Sequence, residues 1–283
     1  MNATMVAVRA GIFRGWLEFR QSFTTPQDVL GYFGPVGFFL GLSLFMRGQN
    51  VGDTDVPIAA MWISGLLGFL VATSGLVSVA QILASDREDG TLLRAKAAPK
   101  GMVGYLVGRS VHIFLISLTT SIIILAPSHF IFDGFGADGL GAWLTFAWVL
   151  PLGLLSTAPV GAVIGSMISN PRTATAVMMI PSMALLGISG IIYQVSGFPV
   201  WLQWIAQVFP LYWVGLGMRS VFLPDTMLPV ELGESWRHLE TAGVLSVWAI
   251  AGFVVATFFL NRMARREAGS RMEEGRRKAM QRA

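Results

Sequence analysis

Very few side chains in this sequence could carry out covalent or metal chemistry. The chain contains no cysteine, which excludes thiol catalysis, thiolate metal sites and disulfides. None of its lysines has the Gly-Lys-Ser/Thr context of a phosphate-binding loop. The histidines are too far apart for a metal site; they are His112, His129 and His238. We therefore expect no catalytic residue, no metal and no cofactor in this chain.

One serine has the sequence context of a nucleophile. Gly187-Ile188-Ser189-Gly190 matches the Gly-x-Ser-Gly pattern of rhomboid-type intramembrane serine proteases. A nucleophilic serine needs a histidine within hydrogen-bonding distance, and rhomboids supply it from deep within a later span. The last apolar segment here has none, and His238 lies at its edge. A serine protease that uses Ser189 stays an alternative, although small residues at this spacing are also usual in packed membrane helices.

The densest mixture of charges between two apolar stretches lies in the segment 85–100, which begins Ser-Asp-Arg-Glu-Asp-Gly-Thr. We expect Gly90 to end the preceding helix and Thr91 to cap a new short helix that ends at Pro99. A short helix between two membrane spans can be pushed by a soluble partner. A solvated loop that only sets topology is the alternative interpretation.

The composition of the whole chain indicates a multi-spanning membrane protein. Of 283 residues, 54% are hydrophobic and 13% are charged, against roughly 25% charged in a soluble domain. There is too little polar surface here to cover a water-soluble globule. The net charge of +4 does not indicate nucleic-acid binding, because the basic residues flank the apolar stretches. We expect residues 1–283 to form a single transmembrane domain.

The gaps between charged residues predict an all-α membrane protein with six transmembrane helices. A helix needs ~20 mostly apolar residues to cross the hydrocarbon core, and six uncharged gaps can hold one span each. The predicted spans are residues 29–46, 58–84, 104–126, 141–169, 174–194 and 241–261.

The distribution of basic residues predicts that both termini are cytoplasmic. With six spans, 17 of the 20 Lys and Arg lie inside, and Arg47, Arg219 and Arg237 lie outside. A seventh span between Arg172 and Arg219 would place the basic tail, residues 262–283, outside, against that bias. We therefore expect the tail in the cytoplasm, where it is attracted to anionic lipid.

Two further segments are predicted to lie at the membrane surface. Apolar residues recur at helical spacing in residues 6–24, which indicates an N-terminal interfacial helix. The segment 197–223 contains Pro199 and Pro210, which interrupt a helix, and Trp201, a residue type that favours the membrane interface. We predict a re-entrant helical hairpin there, with Arg219 near its end.

With these motifs in place, the sequence resembles the permease subunit of ABC-2 type transporters. The first motif combines an acidic/basic pair, Gly-Thr, leucines, a basic residue and a proline. The matching residues are Arg87, Glu88, Gly90, Thr91, Leu92, Leu93, Arg94 and Pro99. The second motif reads Pro199-Val200-Trp201-Leu202, then Pro210-Leu211, then Gly215 to Arg219. Residues 83–92 are similar to the daunorubicin-resistance type of drug exporter permease.

The resemblance implies a half-transporter in a bacterial cytoplasmic membrane, in contact with membrane lipid and not with nucleic acid. Two permease chains, as a homodimer, would bind two copies of an ATP-binding cassette ATPase, which holds ATP and Mg. The substrate exported would be hydrophobic or amphipathic: a drug, an antibiotic or a lipid. The segment 85–100 would be the coupling helix, and residues 6–24 the elbow helix. The implied contacts with the ATPase are Asp86, Arg87, Glu88, Gly90, Thr91, Leu92, Leu93 and Arg94.

A secondary transporter driven by an ion gradient is the remaining alternative. Such transporters usually carry buried acidic residues and inverted repeats. The six predicted spans contain no Asp or Glu, which counts against this alternative.

Overall fold

The computed structural model describes residues 2–46, 48–51, 54–132, 135–137 and 139–280, without the side chains of Asp28, Asn261 and residues 263–280. Arg47 and the charged side chains of the tail beyond Arg262 lie outside this description. Within it the chain forms eleven α-helices. They are α1 (Ala3–Gln21), α2 (Pro26–Phe45), α3 (Ile58–Thr73), α4 (Val79–Glu88), α5 (Thr91–Ala97), α6 (Gly101–Ile131), α7 (Gly139–Met167), α8 (Pro171–Ile188), α9 (Val200–Val208), α10 (Pro210–Phe222) and α11 (His238–Met280).

Five helical stretches within the described residues are long and apolar enough to cross a membrane. The first is Ile58–Glu88, in which a π-helical turn, Ser74–Ser78, joins α3 to α4. The others are α6, α7, α8 and the first part of α11, His238–Leu260. In α2, a shorter apolar helix spans Val29–Phe45. An all-helical, multi-pass membrane protein is therefore confirmed, with five candidate spans and a shorter sixth apolar helix.

The fifth predicted span, 174–194, corresponds to a helix that ends earlier. α8 ends at Ile188, and Gly190 has a φ of 81°, in the left-handed region that glycine adopts most easily. By contrast, α6 extends past both ends of its predicted span, 104–126. A stretch without charged residues indicates the apolar part of a helix. The actual ends of the helix depend on backbone breaks and on polar residues in its last turns.

α10 forms the centre of the bundle. All of its residues except Ser220 are buried, and it packs against α3, α7 and α11. A Cβ atom on Gly68 of α3 would lie 2.6 Å from the Cα of Gly215 in α10, so the two backbones touch. Small residues allow this close approach in membrane proteins.

The segment predicted as a re-entrant hairpin contains two short helices. Pro199 immediately precedes α9, and Pro210 is the first residue of α10, a position that proline tolerates because its missing N–H has no helical acceptor there. Trp201 and Trp204 are 63% and 69% exposed on α9, whereas α10 is buried. The helix breaks at Pro199 and Pro210 agree with the prediction from the sequence. The entry of α9 and α10 into the membrane stays a prediction.

Close backbone contact fixes α4 and the π-helical turn against α7. A Cβ atom on Gly75 would lie 1.9 Å from Thr157 Oγ1 and 2.8 Å from the backbone nitrogen of Ala158. Gly161 and Gly165 make the reciprocal contacts from α7. The charged segment that follows α4 therefore starts from a firmly packed helix.

Candidate functional site

Two left-handed residues isolate the short helix α5 from its neighbours. Gly90 has a φ of 71° and ends α4, as the sequence predicts, and Lys100 has a φ of 57° immediately before α6. The predicted cap is wrong in one detail, because Gly90 occupies the N-cap position and no side chain caps the helix. Thr91 is the first helical residue, and its Oγ1 accepts a hydrogen bond from Arg94 Nη2 at 3.1 Å. α5 is thus a separate short helix between two sharp turns.

One buried leucine anchors α5 to the bundle. Leu92 is 1% exposed and packs with Leu83 of α4 and Tyr105 of α6. Partly buried residues of α7 and α11, Ala162 and Leu260, also pack against this cluster. Leu92 therefore belongs to an apolar cluster that also contains side chains of α4, α6, α7 and α11.

The outer face of this segment is exposed and charged. Glu88 and Asp89, at the end of α4, are exposed, as is Arg94 on α5. Leu93 is half-buried. This face can meet a partner with charges of either sign.

Asp86, in contrast, faces inward. It is 4% exposed. Tyr105 donates its O–H to Asp86 Oδ2 at 2.7 Å, and Arg109 donates from Nε to the same oxygen at 2.9 Å. Arg109 Nη2 also donates to Oδ1. The Asp86 carboxylate therefore ties α4 to α6.

Arg87 also makes inward contacts. Its Nη1 donates to the backbone carbonyls of Gly165, Ser166 and Ile168 at 3.1, 2.8 and 3.3 Å. These carbonyls lie at the end of α7, where a cation is favoured by the helix dipole. Of the eight residues predicted at this site, the structure exposes Glu88 and Arg94, and it directs Asp86, Arg87 and Leu92 into the bundle.

A network of charged side chains, which the sequence analysis did not predict, connects this site to α1. Arg109 Nη1 donates to Glu18 Oε2 at 2.8 Å, and Arg14 Nε donates to Glu18 Oε1 at 2.8 Å. His112 Nδ1 lies 3.6 Å from Glu18 Oε2, and Ser22 Oγ lies 3.2 Å from His112 Nε2. Since Arg109 binds both Glu18 and Asp86, three helices share one cation.

The pKa of Glu18, on α1, reflects this environment. Burial raises it, but the neighbouring His112 and Arg14 side chains and the positive charge of Arg109 outweigh that effect and lower it to about 2. Glu18 is therefore ionised at neutral pH and bound to cations on two helices.

Glycines bring α1 and α6 into contact beside this network. A Cβ atom on Gly11 would lie 2.4 Å from the carbonyl oxygen of Gly104, and one on Gly15 would lie 2.4 Å from that of Gly108. Both helices thus carry a Gly-x-x-x-Gly pattern, the spacing that lets helix backbones approach in membranes. These two matching patterns were the signal in the sequence that could have predicted the pair.

At the other end of the bundle, Arg219 is fully buried in α10. Its Nε donates to Glu231 Oε1 at 2.5 Å and its Nη2 to Oε2 at 3.1 Å. Glu231, which the sequence did not single out, therefore neutralises it. The pair fixes α10 to the loop that precedes α11.

The structure does not support the serine protease alternative. Ser189 is 2% exposed, and its Oγ donates to the Leu186 carbonyl at 3.1 Å. His238 Nε2 instead lies 2.9 Å from Ser220 Oγ. Among the described residues, Ser189 has no hydrogen bond to a histidine, so the arrangement that would activate it is missing.

Comparisons with known proteins agree with one another. A family model described as ABC-2 family transporter protein matches residues 23–260. A probable multidrug ABC transporter permease, YbhR, of Escherichia coli strain K12 is 23% identical over 185 residues, which are 65% of this chain and 50% of YbhR. YbhR of Escherichia coli O157:H7 matches with the same identity and coverage. The chain spans about half the length of the curated relatives it matches.

Proposed function

Since this chain belongs to the ABC-2 family of transporter proteins, we propose that it is the permease subunit of an ATP-driven exporter whose ATPase is a separate chain. The observation that carries the proposal is α5, a short helix with an exposed charged face and a buried anchor in the bundle. The family and this geometry together support the proposal that α5 is the coupling helix.

The proposed complex has two permease chains, as a homodimer, and two ATPase chains. ATP and Mg bind to the ATPase chains, whose closure pushes α5. Leu92 transmits the push to α4, α6, α7 and α11 through the cluster around it. The spans then change between inward-facing and outward-facing arrangements.

The proposed substrate is hydrophobic or amphipathic, in the class of drugs, antibiotics and lipids. The printed name of YbhR, a multidrug permease, supports this class. We place the chain in the bacterial cytoplasmic membrane with both termini in the cytoplasm, because that orientation keeps the basic residues inside. α1 then lies at the inner membrane surface, and the pair α9 and α10 enters from the outside.

One exposed residue of the segment, Glu88, is the proposed electrostatic contact with the ATPase, whereas Arg94 lines the groove between α1 and α5. Leu93, which is half-buried, contributes apolar area. Asp86, Arg87, Gly90, Thr91 and Leu92 shape and hold the segment rather than touch the partner. The proposed contacts with the ATPase are therefore fewer than the eight residues that the family resemblance implies.

The test is co-purification with the partner ATPase and drug-stimulated ATP hydrolysis in vesicles. Glu88→Lys reverses an exposed charge without touching the buried network, so the chain should insert normally while ATPase binding and stimulated hydrolysis fall. The matched control is Glu234→Lys, an exposed acid on the loop before α11. Wild-type binding and hydrolysis with Glu88→Lys would remove the charged face of α5 from the coupling contact.

A further inference from the structure

We propose that the groove between α1 and α5 binds the headgroup of an anionic phospholipid. The groove encloses about 810 Å³ between these helices and the first turns of α6. Its walls are small apolar side chains, among them Ala7 and Ala10 of α1 and Ala98 of α5. Such walls leave room for a flexible acyl chain.

Two arginines line this groove from opposite helices. Arg14 comes from α1 and Arg94 from α5. Arg94 donates to the Thr91 hydroxyl and to the backbone carbonyl of Asp89, and among the described residues no carboxylate forms an ion pair with it. Arg14 donates from its Nε to Glu18, and within the described part of the chain its two Nη nitrogens have no hydrogen-bond partner.

The lining contains no carboxylate among the described residues. A ligand that complements it therefore has a negative group for the arginines and an apolar body for the alanines. Guanidinium groups bind phosphate oxygens through paired, charge-assisted hydrogen bonds. A phosphodiester with attached acyl chains, and with no cationic headgroup to face the two arginines, satisfies both requirements.

The surroundings of the groove favour lipid over a protein segment. Elsewhere on α1, Phe13 is 62% exposed and Trp16 is 46% exposed. Tryptophan favours the level of the lipid headgroups. With α1 at the inner membrane surface, as proposed above, a phospholipid of the inner leaflet lies beside the open side of the groove.

Lipid binding can be measured on the full-length chain in detergent by native mass spectrometry, with phosphatidylglycerol and phosphatidylcholine as the probes. The double variant Arg14→Gln/Arg94→Gln should bind phosphatidylglycerol about tenfold more weakly, since it loses charge-assisted hydrogen bonds. The matched control is Arg9→Gln/Arg20→Gln, which removes two exposed arginines of α1 outside the groove. The control should bind like the wild type.

A second variant blocks the groove without removing charge. Ala10 is exposed and lines the groove, so Ala10→Trp should fill it and exclude phosphatidylglycerol while the chain stays folded. Equal loss with the control pair, equal binding of phosphatidylcholine, or unchanged binding by Ala10→Trp would each overturn the proposal. So would a cysteine at Ala10 that cross-links to the ATPase in the assembled complex, because a protein segment would then occupy the groove.

Discussion

Replacing Arg109 by glutamine should destabilise the fold more than replacing any exposed arginine. Arg109 binds two carboxylates, Asp86 with 4% of its surface exposed and Glu18 with 18% of its side chain exposed. Removing one partner of a buried ion pair typically costs about 3–5 kcal/mol, because the remaining charge stays desolvated. Tyr105 still donates to Asp86 and Arg14 to Glu18, so we expect about 3 kcal/mol.

Thermal unfolding of the purified chain in detergent measures this effect. For a chain of this size, about 3 kcal/mol corresponds to a fall in Tm of about 5–10 °C. The matched control is Arg14→Gln, whose side chain is 43% exposed. An exposed ion pair contributes about 0–1 kcal/mol, so the control should lower Tm little.

A double variant separates the charge effect from lost packing. Asp86→Asn removes the carboxylate that Arg109→Gln leaves unpaired, and its amide oxygen still accepts from Tyr105. The double variant should therefore be more stable than Arg109→Gln alone, which is a non-additive result. A simple sum of the two single losses, or equal losses for Arg109→Gln and Arg14→Gln, would refute the reasoning.

Three further predictions concern pH, packing and topology. Because the pKa of Glu18 is lowered to about 2 in the folded chain, its contribution to stability is complete above its unfolded pKa of about 4.5 and is lost as pH falls from there towards 2. Tm should therefore fall less in Glu18→Gln than in the wild type over that range, and parallel curves would contradict the assignment. Gly75→Ala forces a Cβ into α7 and should cost about 1–3 kcal/mol, whereas Gly37→Ala, whose Cβ would meet nothing within 4 Å beyond its own helix turn among the described residues, should lower Tm little. For topology, Ala97→Cys should react with an impermeant thiol reagent from the cytoplasm alone and Thr226→Cys from outside alone; labelling of both from one side would contradict the proposed orientation.

The apolar parts of the candidate membrane helices were predictable because they follow from length and hydropathy. Charges are expensive in the hydrocarbon core, so the gap between Asp138 and Arg172 had to contain the helix that the structure shows as α7. The break at Gly90 was predictable for the same kind of local reason, because glycine adopts its φ of 71° easily. Hydropathy, bilayer thickness and the backbone preference of glycine each act on one segment at a time. Their effects can therefore be predicted from a single sequence.

The pairing of charges between helices was not predictable in this way. Asp86, Arg109 and Glu18 are far apart in sequence, and their pairing depends on which helices pack together. Arg87 illustrates the same limit, since its acceptors are backbone carbonyls of α7 that no residue type marks. From the sequence alone, a charged residue that is exposed in a loop cannot be distinguished from a buried charged residue that joins two helices.

If α5 is the coupling helix, as proposed, the contacts that hold each helix predict which helices move relative to one another when α5 is pushed. Charged hydrogen bonds hold α1, α6 and α4 together, and they fix geometry because each bond has a preferred direction. α5 itself is held by Leu92 through apolar contacts, which are non-directional, and by the two turns at Gly90 and Lys100. We therefore expect α5 to rotate about Leu92 while α1, α4 and α6, which the charged hydrogen bonds join, keep their relative positions.

Cross-linking α1 to α6 should then leave coupled ATP hydrolysis intact, whereas cross-linking α5 to α6 should abolish it. Loss of hydrolysis with the first cross-link would show that α1 and α6 must separate during transport.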